Sequence, residues 1–307
     1  MITADQSATD PRATDRGATG QSETEQRSTE QRSASTRTVL SIAGSDSGGG
    51  AGVQADLKAF ARCGVHGMTA ITSVTAQNTV GVDAIHPLPP EIVIAQVRAV
   101  LRDIGVDAVK VGMLGTTAVT LAVARALDEL PAGTPVVVDP VMVAESGARL
   151  LDLDAQHVLV QELLPRATVL TPNLPEARVL ADWAADTGEV EGDEAEALAR
   201  ALLALGPSAV VITGGHRARA IDLFLDAKDD GRVVEIEGER HPDGAAHGSG
   251  CTHSSLLAAQ LALGFTPLQA ARTARALTGE AVGNGLRDIG QGAGPVDVLG
   301  LERMRSL

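Results

Sequence analysis

The sequence predicts an α/β protein: a three-layer α/β/α sandwich around a mostly parallel central sheet, preceded by a disordered N-terminal tail. Three observations carry this reading. From residue 38 onward, short runs rich in Val and Ile alternate with amphipathic segments. Most of these runs stop at Gly, Pro or Asp, and a polar motif follows. The first 37 residues, by contrast, hold almost no large apolar side chain. Alternating apolar runs and helices imply right-handed βαβ units and a sheet covered on both faces.

The elements follow in order. Thr38–Ala43 is an apolar run, hence a strand, and Gly44–Gly52 is a glycine-rich loop. Gln54–Ala61 reads as an amphipathic helix stopped by Gly64. Met68–Val74 is β-branched and apolar, a second strand. Ile92–Leu101 is helical and Ala108–Val111 a strand; Val119–Leu130 is helical and Val136–Asp139 a strand ending at Pro140. Thr168–Leu170 ends at Thr171-Pro172. Glu194–Leu205 is a helix rich in Ala and Leu, and Ala209–Thr213 a strand ending at Gly214-Gly215. Ile221–Leu225 and Arg232–Glu237 alternate with period two around Asp230-Gly231, a β-hairpin. Two Ala-rich helices, Thr252–Leu263 and Pro267–Val282, complete the pattern.

Residues 1–37 form the predicted tail and residues 38–307 the folded domain. The tail carries six acidic and five basic side chains, so nearly all of the net charge of −14 lies on the domain. Such a segment buries too little apolar surface to offset its ordering entropy. Aromatic residues are 1% of the 307, which disfavours base stacking or an aromatic cage as the main activity. The acidity argues against nucleic acid or an anionic membrane as partner, although phosphate can still be held locally by backbone N–H groups. Cys63 and Cys251, the two cysteines, allow neither a disulfide framework nor a four-Cys zinc site. No apolar run approaches a membrane span and the N-terminus has no secretory h-region, so a reduced, cytoplasmic protein is expected.

Ligands of parallel sheets gather at the carboxyl ends of the strands, and the motifs sit there. Five glycines between Gly44 and Gly52 either approach a ligand or make a tight turn. The loop is neither a Walker A loop nor a dinucleotide fingerprint. Asp56 either complements the helix dipole or accepts a hydrogen bond from a substrate. His247-Gly248-Ser249-Gly250-Cys251-Thr252-His253 opens the first late helix. Its N–H groups suit an anion, and a thiol in the first turn is expected to have a lowered pKa; the alternative is a small buried thiol with packing glycines. Asp139 ends a strand, and Asn173 with Glu176 either caps a helix or offers hard oxygens to Mg²⁺. Gln77 offers a donor and an acceptor, and Met113 an adaptable apolar wall.

Taken in order, these segments resemble the hydroxymethylpyrimidine/phosphomethylpyrimidine kinases of the ribokinase-like superfamily. The likeness runs through IAGSDSGGGAGVQADLKAF, TAQNT, KVGML, VVVDPVM, ESG, TPNLPEA, GGH and GSGCT. It implies ATP-dependent phosphorylation of a hydroxymethylpyrimidine to its monophosphate and then its diphosphate, with Mg²⁺, in a cytoplasmic homodimer. It also implies residue roles. Asp56, Gln77, Met113, Gly44 and Gly49 would hold the pyrimidine. Gly248, Ser249 and Gly250 would form an anion hole, and Cys251 would stand in the place of the catalytic base. Asn173, Thr213 and Gly215 would serve the nucleotide, and Asp139 and Glu176 the metal. Thr213 stands where relatives often have Lys, which removes a positive charge, and Lys110 is given no role. The rivals are a pyridoxal/pyridoxine kinase and a pyrimidine-binding module without catalysis.

Overall fold

The computed structural model describes residues 36–182, 192–214, 220–229, 231–242 and 244–304. Apart from Thr36 and Arg37, the predicted tail lies outside these residues, as does Gly215. Arg37 itself donates to Asp107 Oδ1 at 3.0 Å.

Among the described residues the chain forms one nine-stranded sheet in the order β3-β2-β1-β4-β5-β6-β7-β8-β9. The strands are β1 (Thr38–Asp46), β2 (His66–Gln77), β3 (Val82–Pro87), β4 (Ala108–Val111), β5 (Val136–Val138), β6 (Val169–Leu170), β7 (Ala209–Ile212), β8 (Ile221–Asp226) and β9 (Val233–Glu237). Every pairing from β2 through β7 is parallel. β3 closes one edge antiparallel to β2, and the predicted β8–β9 hairpin closes the other. The chain runs from β1 to β2 on one side and resumes on the other with β4. That reversal opens a crevice at the carboxyl ends of β1 and β4.

Two helical layers cover the sheet. One holds α2 (Pro90–Asp103), α3 (Thr117–Leu127), α4 (Leu153–Val158), α5 (Leu174–Leu180) and α6 (Gly192–Leu203). The other holds α1 (Gly52–Arg62), α7 (Ser249–Ala262) and α8 (Pro267–Gly283); a short α9 (Leu301–Met304) ends the described chain. The period-two alternation of strand side chains sorts them between the layers. Leu40, Ile42, Val109, Val111 and Val138 join the first core, while Val39, Ala108, Val137, Val169 and Val211 join the second. By the same parity Ser41, Lys110 and Asp139 face the α1/α7 layer.

Some boundaries differ from the expectation. β1 runs past Ala43 to Asp46, with a register shift at Gly44, so this glycine is part of the strand. β2 runs past the expected end at Val74 to Gln77, because β3 pairs with its end. α4 continues through a π turn (Leu159–Leu163) and a 3₁₀ turn (Leu164–Arg166) ahead of β6. Among the described residues no helix is long and apolar enough to cross a membrane.

Candidate active site

The crevice between β1 and β4 opens into a cleft of about 420 Å³. Gly44, Gln77 and Met113 line one end; Asp139, Asn173, Glu176 and Thr213 line another part; Gly248, Ser249, Gly250 and Cys251 lie at the first turn of α7. The structure thus brings together most of the residues singled out above. No Phe, Tyr or Trp stands among the described lining residues.

Gly44 lies tight against its neighbour: a Cβ there would lie 3.0 Å from Met113 Sδ, which would have to shift by a few tenths of an ångström. Gln77 accepts from Thr75 Oγ1 through its side-chain oxygen at 3.1 Å. Gly49 is not among the lining residues. It takes a left-handed φ of 75° in a turn, and its carbonyl accepts from Lys58 Nζ at 2.7 Å. Its assignment to the substrate is therefore replaced by a turn role. The glycine loop as a whole is no phosphate cradle. The N–H groups of Gly48, Gly50 and Ala51 donate to the Asp46 carboxylate at 2.8, 3.0 and 2.8 Å.

Asp56 also departs from the expectation. It is fully buried and absent from the cleft wall. Its carboxylate accepts from Ser41 Oγ at 2.5 Å, from Ser255 Oγ at 2.7 Å and from Lys110 Nζ at 2.9 and 3.1 Å. A carboxylate so fully engaged has little left to offer a substrate, so Asp56 anchors Lys110 instead. Lys110, with no expected role, is fully buried and lies 3.9 Å from Asp139 Oδ2 as well. Burial opposes its charge, yet Asp56, Cys251 and Asp139 hold its pKa above the ordinary lysine value. The signal in the sequence was a lone cation inside an apolar strand, which needs a buried anion from elsewhere.

Cys251 sits in the first turn of α7 and receives the Gly52 N–H. Burial pushes its thiol up to about 12; Lys110 opposes this, and Asp139 and Asp56 add to it. The expected lowering by the helix terminus is reversed, because desolvation and two carboxylates outweigh the backbone dipoles. The anion hole is also narrower than expected. The Ser249 N–H bonds to the Ala246 carbonyl at 2.9 Å. The N–H groups of Gly250 and Cys251 have no backbone partner among the described residues, as at any helix start.

Asn173 and Glu176 form a full capping box on α5: Glu176 N donates to Asn173 Oδ1 at 2.9 Å and Asn173 N to Glu176 Oε2 at 3.0 Å. Glu176 also faces the cleft, and burial together with Asp139 pushes its carboxyl up to about 8. Burial likewise raises Asp139, more than Lys110 and the 2.9 Å bond from Ser254 Oγ lower it. Asp139, buried, and Glu176, partly exposed to the cleft, offer hard carboxyl oxygens of the type that suits a Mg²⁺ carrying phosphates. No group of three or more His, Cys, Asp or Glu gathers among the described residues, so a Mg²⁺ there would need phosphate or water oxygens for its remaining ligands. Thr213 meets Asn173 in a single bridge beside this pair.

Sequence reasoning missed a buried group that also lines the cleft. His253 Nε2 lies 3.2 Å from Asp222 Oδ2, and Arg275 Nε lies 3.8 Å from Asp222 Oδ1. Despite burial, His253 and Arg275 hold Asp222 below the usual carboxylate range. Its members come from β8, α7 and α8, so no local motif announces them.

Comparison with known proteins agrees with this geometry. The family described as phosphomethylpyrimidine kinase matches residues 46–297. A hydroxymethylpyrimidine/phosphomethylpyrimidine kinase of Rhizobium meliloti is 46% identical over 85% of this chain and 96% of its own length. The protein of the same name from Haemophilus influenzae is 44% identical over 88% and 99%. Among solved structures, the ADP complex of Bacillus subtilis pyridoxal kinase superposes with a TM-score of 0.78 at 34% identity, covering 87% of this chain and 99% of that one. A phosphomethylpyrimidine kinase from Clostridium difficile gives 0.68 at 36%, covering 78% and 96%. Matched over most of its length by both the family and its curated relatives, the chain belongs to the phosphomethylpyrimidine kinase family.

Proposed function

We propose that the protein transfers the γ-phosphoryl group of ATP to the hydroxymethyl oxygen of 4-amino-5-hydroxymethyl-2-methylpyrimidine, and then phosphorylates that monophosphate, in thiamin biosynthesis. The observation that carries this is the single cleft joining a small uncharged end, at Gly44, Gln77 and Met113, to the helix start at Gly250 and Cys251. Gln77 would pair with the polar edge of the pyrimidine, and Met113 would pack on its face. The free N–H groups of Gly250 and Cys251 would receive charge developing on the transferred group. Cys251, as thiolate, would accept the hydroxymethyl proton. The thiolate is a minor form near neutrality, with burial holding the thiol at about 12. Asp139 and Glu176 would hold Mg²⁺, which when bound neutralises phosphate charge. Asn173 and Thr213 would contact the nucleotide phosphates, Thr213 by a hydroxyl alone. We further place the enzyme in the cytoplasm as a homodimer.

The likeness to pyridoxal kinases favours a second reading, in which pyridoxal or pyridoxine is also accepted. One assay separates them: ADP release with Mg·ATP across hydroxymethylpyrimidine, its monophosphate, pyridoxine, pyridoxal and hydroxyethylthiazole. The proposal expects the highest kcat/KM with the first two. A preference for pyridoxal overturns it, and no turnover with any of them favours a binding module.

A further inference from the structure

A buried side-chain contact ties the glycine loop to the start of α7, beside the bond from the Gly52 N–H to Cys251. His247 Nε2 lies 3.2 Å from Asp46 Oδ2, across a sequence separation of 201 residues, and both side chains are buried. The same carboxylate holds the N–H groups of Gly48, Gly50 and Ala51. Burial would raise its pKa, but His247 and these N–H groups hold it below the usual range. The fit is close. A Cβ on Gly50 would overlap the His247 ring, and a Cβ on Gly248 would overlap the Gly50 carbonyl oxygen. Gly248, the residue after His247, is the cap from which α7 starts, with a left-handed φ of 80°.

We propose that Asp46 and His247 are positioning residues for phosphoryl transfer: their contact fixes the start of α7, and with it the N–H groups of Gly250 and Cys251, against the loop that follows the substrate-lining end of β1. Neither side chain needs to touch a reacting atom. Gly44 and Ser45 line the substrate end of the cleft and lie on the strand that ends at Asp46. Gly248 to Cys251 line the transfer end. The Asp46–His247 contact sets the distance between the two. A misplacement of about 1 Å at a reacting centre costs on the order of 100-fold in rate. The effect is expected on kcat more than on KM, because Gln77 and Met113, proposed to hold the ring, lie outside this contact.

This inference rests on the proposed kinase reading, and its test is arranged to separate the two. Purified full-length protein and the variants His247→Leu, His247→Gln and Asp46→Asn are compared by steady-state turnover, thermal unfolding, and amide hydrogen exchange of residues 247–252 without ligand. Wild-type turnover tests the kinase reading alone. The exchange arm needs no substrate and tests the positioning alone. For His247→Leu the expected result is a kcat 10- to 100-fold below wild type, a pyrimidine KM within threefold, and faster exchange at 247–252. His247→Gln, whose amide can reach Asp46, recovers at least half of the loss on a logarithmic scale. Combining His247→Leu with Asp46→Asn costs no more than the worse single variant. The proposal is overturned if His247→Leu leaves kcat within twofold and exchange unchanged. It is equally overturned if Gln behaves as Leu does, or if the two losses multiply.

Discussion

Replacing Lys110 by Met removes the ammonium that the structure places among Asp56, Asp139 and Cys251. Both Lys110 and Asp56 have no exposed side-chain surface. At 2.9 Å and an effective dielectric constant of about 20, their attraction is about 6 kcal/mol, and the 3.9 Å contact to Asp139 adds about 4 kcal/mol. Most of this offsets the cost of taking the charges out of water. The expected net loss on removing one partner is about 3–5 kcal/mol. At roughly 2–4 °C per kcal/mol for a domain of this size, Tm falls by roughly 6–20 °C. The assay is calorimetric unfolding of Lys110→Met, Asp56→Asn and the double variant at one pH. The double variant is expected to recover at least half of the loss of Lys110→Met, because the amide that replaces the Asp56 carboxylate still meets the Ser41 and Ser255 hydroxyls without an unbalanced charge. A loss below about 1 kcal/mol for Lys110→Met, or a double variant as unstable as the sum of the singles, would refute the reasoning.

Other outcomes follow from the site. With the Cys251 thiol at about 12, the thiolate population rises tenfold per pH unit, so log(kcat/KM) climbs with a slope near one from pH 7 to 9; a flat profile there removes Cys251 as the base, and Cys251→Ala should fall by on the order of 10²–10⁴. Glu176 is raised from 4.5 to about 8, so the stability tied to its proton is full below 4.5 and is lost as pH rises through 8. Glu176→Gln keeps the capping box and should unfold at a higher temperature than wild type at pH 8, with the gap closing by pH 5; equal gaps at both pH values contradict the shift. Gly44→Ala should raise the pyrimidine KM several-fold with under about 1 kcal/mol of destabilisation, since Met113 Sδ is a movable neighbour. An unchanged KM takes Gly44 out of the substrate end.

How much the sequence disclosed depended on whether the deciding partner was local. The parallel core was legible because each strand is a continuous apolar run between turn residues. β3 was not: Val82–Pro87 is almost entirely exposed and mixes charge with apolar residues, so no period marks it. The Asn173–Glu176 box was legible because both partners lie within four residues. Asp56 was misread because its partners lie 15, 54 and 199 residues away, and Lys110 was passed over because its carboxylate lies 54 residues away. The Cys251 thiol was expected to be acidic from its helix position alone, and what reverses this is its burial, aided by two carboxylates that arrive from α1 and the end of β5. Asp46 escaped notice because its task, holding the glycine loop's N–H groups, became visible only once the loop had a shape.

The 201-residue span of the Asp46–His247 contact also has a temporal meaning. At synthesis rates of about 5–20 residues per second, His247 emerges roughly 10–40 s after Asp46. Ser255, which bonds Asp56, emerges later still. Throughout that interval the glycine loop and the Lys110–Asp56 pair lack the helix that covers them. A nascent chain can therefore assemble its parallel strands well before it owns a working cleft. Chaperone engagement or proteolysis during synthesis should concentrate on the loop after β1 until α7 docks.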